Sequence, residues 1–109
     1  MTAAATHRPT LSIIVPTRGR PGLLRAFLDS LCQTTDQLTA LEVVLVVDED
    51  DAETRGFQHP GIAVRLVVVP RGLSMGSLNA RGYAASTGDR VMLCNDDVVV
   101  RTTGWDSRI

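Results

Sequence analysis

The amino-acid sequence predicts an α/β domain: a parallel sheet with flanking helices. Two observations predict it. Apolar runs of strand length alternate with stretches of helical periodicity, in the order strand, helix, strand, short helix, strand, helix, strand. That is the pattern of parallel strands joined by right-handed crossovers. The apolar content, 44% of the chain, is mostly Val, Leu, Ile and Ala, with only two Phe, one Tyr and one Trp. Such a composition suits an α/β sheet better than an aromatic-rich sandwich. A length of 109 residues holds one small domain, expected over residues 10–109.

Taken in order, residues 1–9 read as a disordered tail in which His7 is solvated. Residues 11–15 form a largely β-branched strand stopped by Pro16. Pro21 suits the first turn of a helix, where its missing N–H is not needed. Leu24, Phe27, Leu28 and Leu31 then line one face of that helix, which ends near Gln33. The second strand, residues 41–47, runs into Asp48-Glu49-Asp50-Asp51, of which Asp50 and Asp51 read as a solvated acidic turn. A short helix or turn covers residues 52–57, and His59 is a loop residue with no role.

Residues 62–69 make the third strand, stopped by Pro70. Ser74 can cap a helix reaching about Ser86, on which Met75, Leu78, Gly82 and Ala85 share a face. Gly82 lowers helix stability, and close packing against the sheet explains its presence. Gly88 fits the helix stop. Val91, Met92, Leu93 and Cys94 show no alternation and read as a strand buried on both faces. Residues 98–100 extend or restart it, and Trp105 lies in a turn that borders an acceptor pocket or caps the sheet end.

With 11 Lys and Arg against 12 Asp and Glu, the formal charge is −1. That excludes bulk electrostatic attraction to nucleic acid or to an anionic membrane. No apolar run approaches transmembrane length, and the first residues lack the apolar core of a secretory signal. Cys32 and Cys94 have no metal-ligand spacing and read as buried free thiols, so a cytoplasmic location is expected.

In open parallel sheets, ligands sit beyond the carboxyl ends of the strands, near the point where strand order reverses. The first strand delivers Pro16, Thr17 and Arg18 there, the second Asp48 and Glu49, and the fourth Asn95, Asp96 and Asp97. Neighbouring strands lie about 5 Å apart, so these ends can converge on one small molecule. The two adjacent aspartates repel each other unless a cation intervenes, which points to a divalent metal; the alternative is an ordinary turn or helix cap. Neither G-x-G-x-x-G nor G-x-x-x-x-G-K-[ST] is present, so the dinucleotide and P-loop fingerprints are excluded. A nucleoside diphosphate can still bind if a metal on Asp97 meets its charge. Arg18, Arg20 or Arg71 can assist, and the Asp48/Glu49 pair can accept from a base or ribose.

Leu11-Ser-Ile-Ile-Val-Pro-Thr-Arg18, Val46-Val-Asp48-Glu49, Leu78-Asn79 through Gly88-Asp89, and Asn95-Asp96-Asp97 together resemble family-two glycosyltransferases of the GT-A fold. The resemblance covers the nucleotide-sugar half of that family, Rossmann-like, from its first strand through its D-x-D-type motif. It implies metal-dependent, inverting transfer of a sugar from a nucleotide-diphosphate donor to an acceptor hydroxyl. Pro16, Thr17 and Arg18 would then line the nucleoside pocket, and Asp48 or Glu49 would hold the base. Asn79 would lie against the donor, Asp96 would contact ribose or sugar, and Asp97 would bind Mn2+ or Mg2+.

Three departures stand out. Glu49 replaces the family's more frequent Asp, and Asn95 replaces an acid. The chain also stops at Ile109, 12 residues after Asp97, whereas the family continues into its acceptor site. A fragment is therefore expected, with the catalytic base beyond Ile109 and exposed apolar surface favouring self-association. Two other readings remain open: a non-catalytic nucleotide-sugar-binding or interaction module, and a nucleotidyltransferase, for which Thr17-Arg-Gly-Arg-Pro-Gly22 is a partial match.

Overall fold

The computed structural model describes residues 9–109. The expected tail, His7 included, lies outside the described residues apart from Pro9. Strands β1 (Leu11–Thr17), β2 (Leu41–Asp48), β3 (Ala63–Val69) and β4 (Arg90–Leu93) alternate with helices α1 (Pro21–Thr34), α2 (Ala52–Arg55) and α3 (Met75–Ala85). Short 3-10 turns occupy Leu38–Ala40 and Trp105–Arg108. All strand pairs are parallel and the order is β3-β2-β1-β4. After β1 the chain moves outward through β2 to β3, then returns across β1 to place β4 on the other side.

The two central strands form the core because helices cover both their faces. Side chains alternate across a strand. Ile13, Val15, Val43, Leu45 and Val47 pack with Leu24, Phe27, Leu28 and Leu31 of α1. Ile14, Val44 and Val46 face the other way, toward Leu78 and Ala85 of α3. Gly82 is what lets α3 approach: a Cβ there would run into Ile14 Cγ2 and stand 2.9 Å from Val46 Cγ2.

Several expectations need correction. β1 continues through Pro16 to Thr17. The β1–β4 ladder pairs Ile14 with Leu93 and closes with Cys94 N–H donating to the Ile14 carbonyl (3.0 Å). Backbone groups two residues on point the same way, so the N–H that Pro16 lacks would face a side where pairing has already ended. β4 is an edge strand, not one buried on both faces: α3 lies over β1, β2 and β3, and Leu93 is 57% exposed. Residues 98–100 add no strand; Val100 donates its N–H to Ser30 Oγ (2.9 Å), and Val98 and Val100 pack onto the α1 side.

The chain then descends along α1 to the opposite edge of the sheet. Gly104 N–H meets the Thr34 carbonyl at 2.7 Å, and Trp105 Nε1 donates to Thr35 Oγ1 at 3.1 Å. Trp105 therefore caps the amino edge of the strands and borders no pocket at their carboxyl edge. Gly88 is not the helix stop, since Ser86 caps α3 in an extended conformation. Instead Gly88 passes so close to β1 that an added Cβ would lie 2.7 Å from Ser12 Oγ. His59 has a structural role: its Nδ1 accepts from Gly61 N–H (3.1 Å), which leaves Nε2 to donate to Asp29 Oδ1 (2.7 Å). Both cysteines are free and partly buried, and burial pushes their thiols up. Among the described residues no helix is long and apolar enough to cross a membrane.

Candidate functional site at the carboxyl edge

The switch point of this sheet lies between β1 and β4, where the order reverses. The two strands part after Ile14 and Leu93, and a crevice opens there. A cavity of about 380 Å³ fills it, lined by Pro16, Thr17, Arg18, Arg20, Val46, Asp48, Met75, Leu78, Asn95, Asp96 and Asp97. β1, β2 and the turn after β4 place polar residues here for the same reason. The apolar run is long enough to cross the helix-covered core, and the next residues emerge at its rim.

Loops at this edge are tied together by charge. Arg18 Nη1 lies 2.9 Å from Asp48 Oδ2 and 2.6 Å from Asp50 Oδ1, while Arg71 reaches Asp50 Oδ2 at 3.3 Å. The hydrogen bonds to Asp50 and Asp48 raise the Arg18 pKa further, and the Arg18 hydrogen bond holds Asp50 below the usual carboxylate range. Asp51 is buried and caps α2, accepting from Thr54 N–H (3.3 Å) and from Gly19 N–H (2.8 Å). Burial pushes its carboxyl up, but these hydrogen bonds outweigh that and its pKa falls. The expected solvated acidic turn is thus a clasp between the first two loops. Gly19 sits in it at φ +61°, a conformation that side chains disfavour.

Asp96 and Asp97, adjacent in sequence, have different surroundings. Asp96 is buried, with Thr17 Oγ1 donating to its Oδ2 at 2.9 Å and Arg20 Nη1 at 3.4 Å from its Oδ1. Asp97 is exposed to the cavity and makes no side-chain hydrogen bond or ion pair among the described residues. Asn95 is likewise exposed on the wall.

Of the predicted site residues, Pro16, Thr17, Arg18, Asp48, Asp96 and Asp97 share this cavity. Asn79 lines an adjoining crevice of about 330 Å³, together with Pro16, Met75 and Asn95, which also border the first. Glu49 lies on neither wall. It is exposed, and its backbone bonds to Val69 and to Arg55. Met75 and Leu78 line the cavity although their spacing reads only as a core-facing helix stripe. The available signal was their place in the first turn of α3, at the carboxyl edge.

Residues 8–103 match the family described as "Glycosyltransferase like family 2". A curated relative, "Uncharacterized protein y4gI" of Sinorhizobium fredii (strain NBRC 101917 / NGR234), is 33% identical over 106 residues, which is 93% of this chain and 12% of that protein. TarS 1-349 of S. aureus superposes with a TM-score of 0.64 at 21% identity, over 81% of this chain and 27% of its own. The mannosyltransferase PcManGT from Pyrobaculum calidifontis, solved in complex with GDP-Man and Mn2+, gives 0.61 at 30% identity, over 84% and 28%. The chain thus spans a minor part of each of these relatives, and its parallel sheet with flanking helices is the GT-A arrangement. With residues 8–103 of its 109 matched to the family, the chain belongs to the glycosyltransferase-like family 2.

Proposed function

We propose that this chain is the donor-binding part of a metal-dependent, inverting glycosyltransferase that takes a nucleotide-diphosphate sugar in the β1–β4 crevice. The carrying observation is the convergence of Pro16, Thr17, Arg18, Asp48 and Asn95–Asp97 on one cavity at the switch point. The nucleoside would lie along Pro16 and Thr17, with the base toward Asp48. Arg20, 54% exposed in its side chain, would face the diphosphate. The PcManGT complex supports a sugar nucleotide and a divalent ion as the class of ligand.

The donor set defines what kind of metal fits. Among the described residues no three His, Cys, Asp or Glu side chains gather as a metal cage. Of the three carboxylates on the cavity wall, Asp48 and Asp96 are engaged by arginines, which leaves Asp97. One carboxylate suits Mn2+ or Mg2+ that arrives with the diphosphate and completes its shell with phosphate oxygens and water. When bound, that ion supplies Lewis-acid charge at the departing nucleotide. Asp97 would hold it, and Asn95 is placed to hydrogen-bond the same ligand.

Calorimetric titration of UDP and GDP with and without Mn2+ checks this reading. Mn2+ should tighten the binding of at least one nucleotide, and Asp97→Ala should abolish that gain without shifting the melting temperature. Binding that ignores both Mn2+ and Asp97 would count against it.

A further inference from the structure

We propose that His59 is a proton-sensitive latch on the entry to β3: the neutral ring holds Gly61, and the imidazolium keeps Asp29 and lets Gly61 go. The latch lies away from the donor site and does not depend on it. Pro60 has no N–H, so Gly61 offers the first backbone donor after the histidine. That donor goes to Nδ1 at 3.1 Å, while Nε2 meets Asp29 Oδ1 of α1 at 2.7 Å. One ring thus ties the segment ahead of β3 to α1. Its side chain is only 5% exposed, against 56% for that of Asp29.

The two contacts make opposite demands on a proton. A neutral imidazole has one donor and one acceptor nitrogen, and both are used here. An imidazolium donates from both nitrogens, so Nδ1–H would confront Gly61 N–H. On the other side the bond strengthens, because a charge-assisted N–H···O contact is about twice as strong as a neutral one. The remaining neighbours do not reverse this preference. Arg25 of α1 lies over the Phe57 ring at 4.9 Å, and Arg55 of α2 donates to the Glu49 carbonyl at 2.9 Å. Burial pushes the Cys32 thiol of α1 up and keeps it uncharged. β3 contributes only Val64 and Leu66 to the crevice of about 370 Å³ that His59 lines.

Gly61 itself packs against α1, since an added Cβ would lie 2.7 Å from Cys32 Sγ. Releasing it frees the segment that leads through Ile62, on the wall of the same crevice, into β3.

The test follows the Gly61 amide and the imidazole nitrogens of the full chain by 15N NMR between pH 8 and pH 5. Amide exchange is measured across the same range and normalised to the unstructured rate. Ordinary carboxylates take up protons below this window. At pH 8 the ring should be the Nε2–H tautomer. As it is protonated, the Gly61 amide proton should move upfield and lose protection about fivefold, while residues 43–46 of β2 keep theirs. The other histidine in the sequence is His7, so His59→Gln makes the assignment: there Gly61 should no longer respond to pH. An Nδ1–H ring at pH 8 would overturn the latch. So would Gly61 protection that is constant from pH 8 to pH 5, or that falls equally in His59→Gln.

Discussion

At the residue scale, the chain shows how far one side chain's meaning depends on its neighbours. Gly82 is a poor helix former, yet it lies under Ile14 and Val46 with no room for a methyl group. Replacing it with alanine gains about 1 kcal/mol of helix propensity but overpacks a core site, which costs about 1–3 kcal/mol. Gly82→Ala should therefore lower stability by about 1 kcal/mol. A reduced urea midpoint at unchanged slope is the expected readout. Asp96 and Asp97 make the same point in polar form. Both line the cavity, but one is hydrogen-bonded by Thr17 and paired with Arg20, and the other makes no such bond.

At the element scale, the loop from α3 into β4 is held by a carboxylate on β2. Glu42 is 3% exposed and accepts from Ser12 Oγ (2.7 Å) and from the backbone and hydroxyl of Thr87 (2.7 and 3.0 Å). Arg65 of β3 approaches it at 3.4 Å, so one group links three strands to the loop. Burial pushes the Glu42 carboxyl up, but the hydrogen bonds from Ser12 and Thr87 and the charge of Arg65 outweigh that, and its pKa falls. A depressed folded pKa means stability present above the unfolded value of about 4.3 and lost as pH drops through the folded value. Glu42→Gln should cost about 2 kcal/mol at neutral pH through mismatched buried donors. That deficit should shrink in acid, because the unaltered protein loses its own advantage there. Denaturant unfolding at pH 7 and pH 3 checks both parts, and a deficit that grows in acid would contradict the sign.

At the scale of the whole molecule, both outer strands leave apolar surface uncovered. Val68 on β3 is 48% exposed and Leu93 on β4 is 57% exposed, with Met75 and Tyr83 exposed on α3. Open edges of this composition pair with other chains, and a charge on the edge blunts them. Sedimentation velocity should show concentration-dependent association, and Leu93→Lys should shift the population toward monomer. A monomeric unaltered chain at high concentration would argue against this. The same architecture explains why the site is wall-lined on one side and open on the other. α3 lies mainly over β1, β2 and β3, and at β4 Val91 and Met92 are only partly buried while Leu93 is exposed.

Much of this was written locally. The order of strands and helices, the face that Leu24, Phe27, Leu28 and Leu31 present, and the residues delivered at each strand end follow from periods of 3.6 and of 2 and from turn residues. Those signals need only neighbours within a few positions. The pairing of charges was not legible, because it depends on distances between residues far apart in the chain. Thr17 and Asp96 are 79 positions apart, and Arg18 and Asp50 are 32 apart. Tertiary contacts decided that Gly19 bonds to Asp51, that Thr17 and Arg20 engage Asp96 and that Trp105 sits at the amino edge. The amino-acid sequence by itself determined which groups reach the rim. Only the tertiary structure decided which of them remain open to a ligand, since a carboxylate's availability depends on what the fold brings within hydrogen-bond reach.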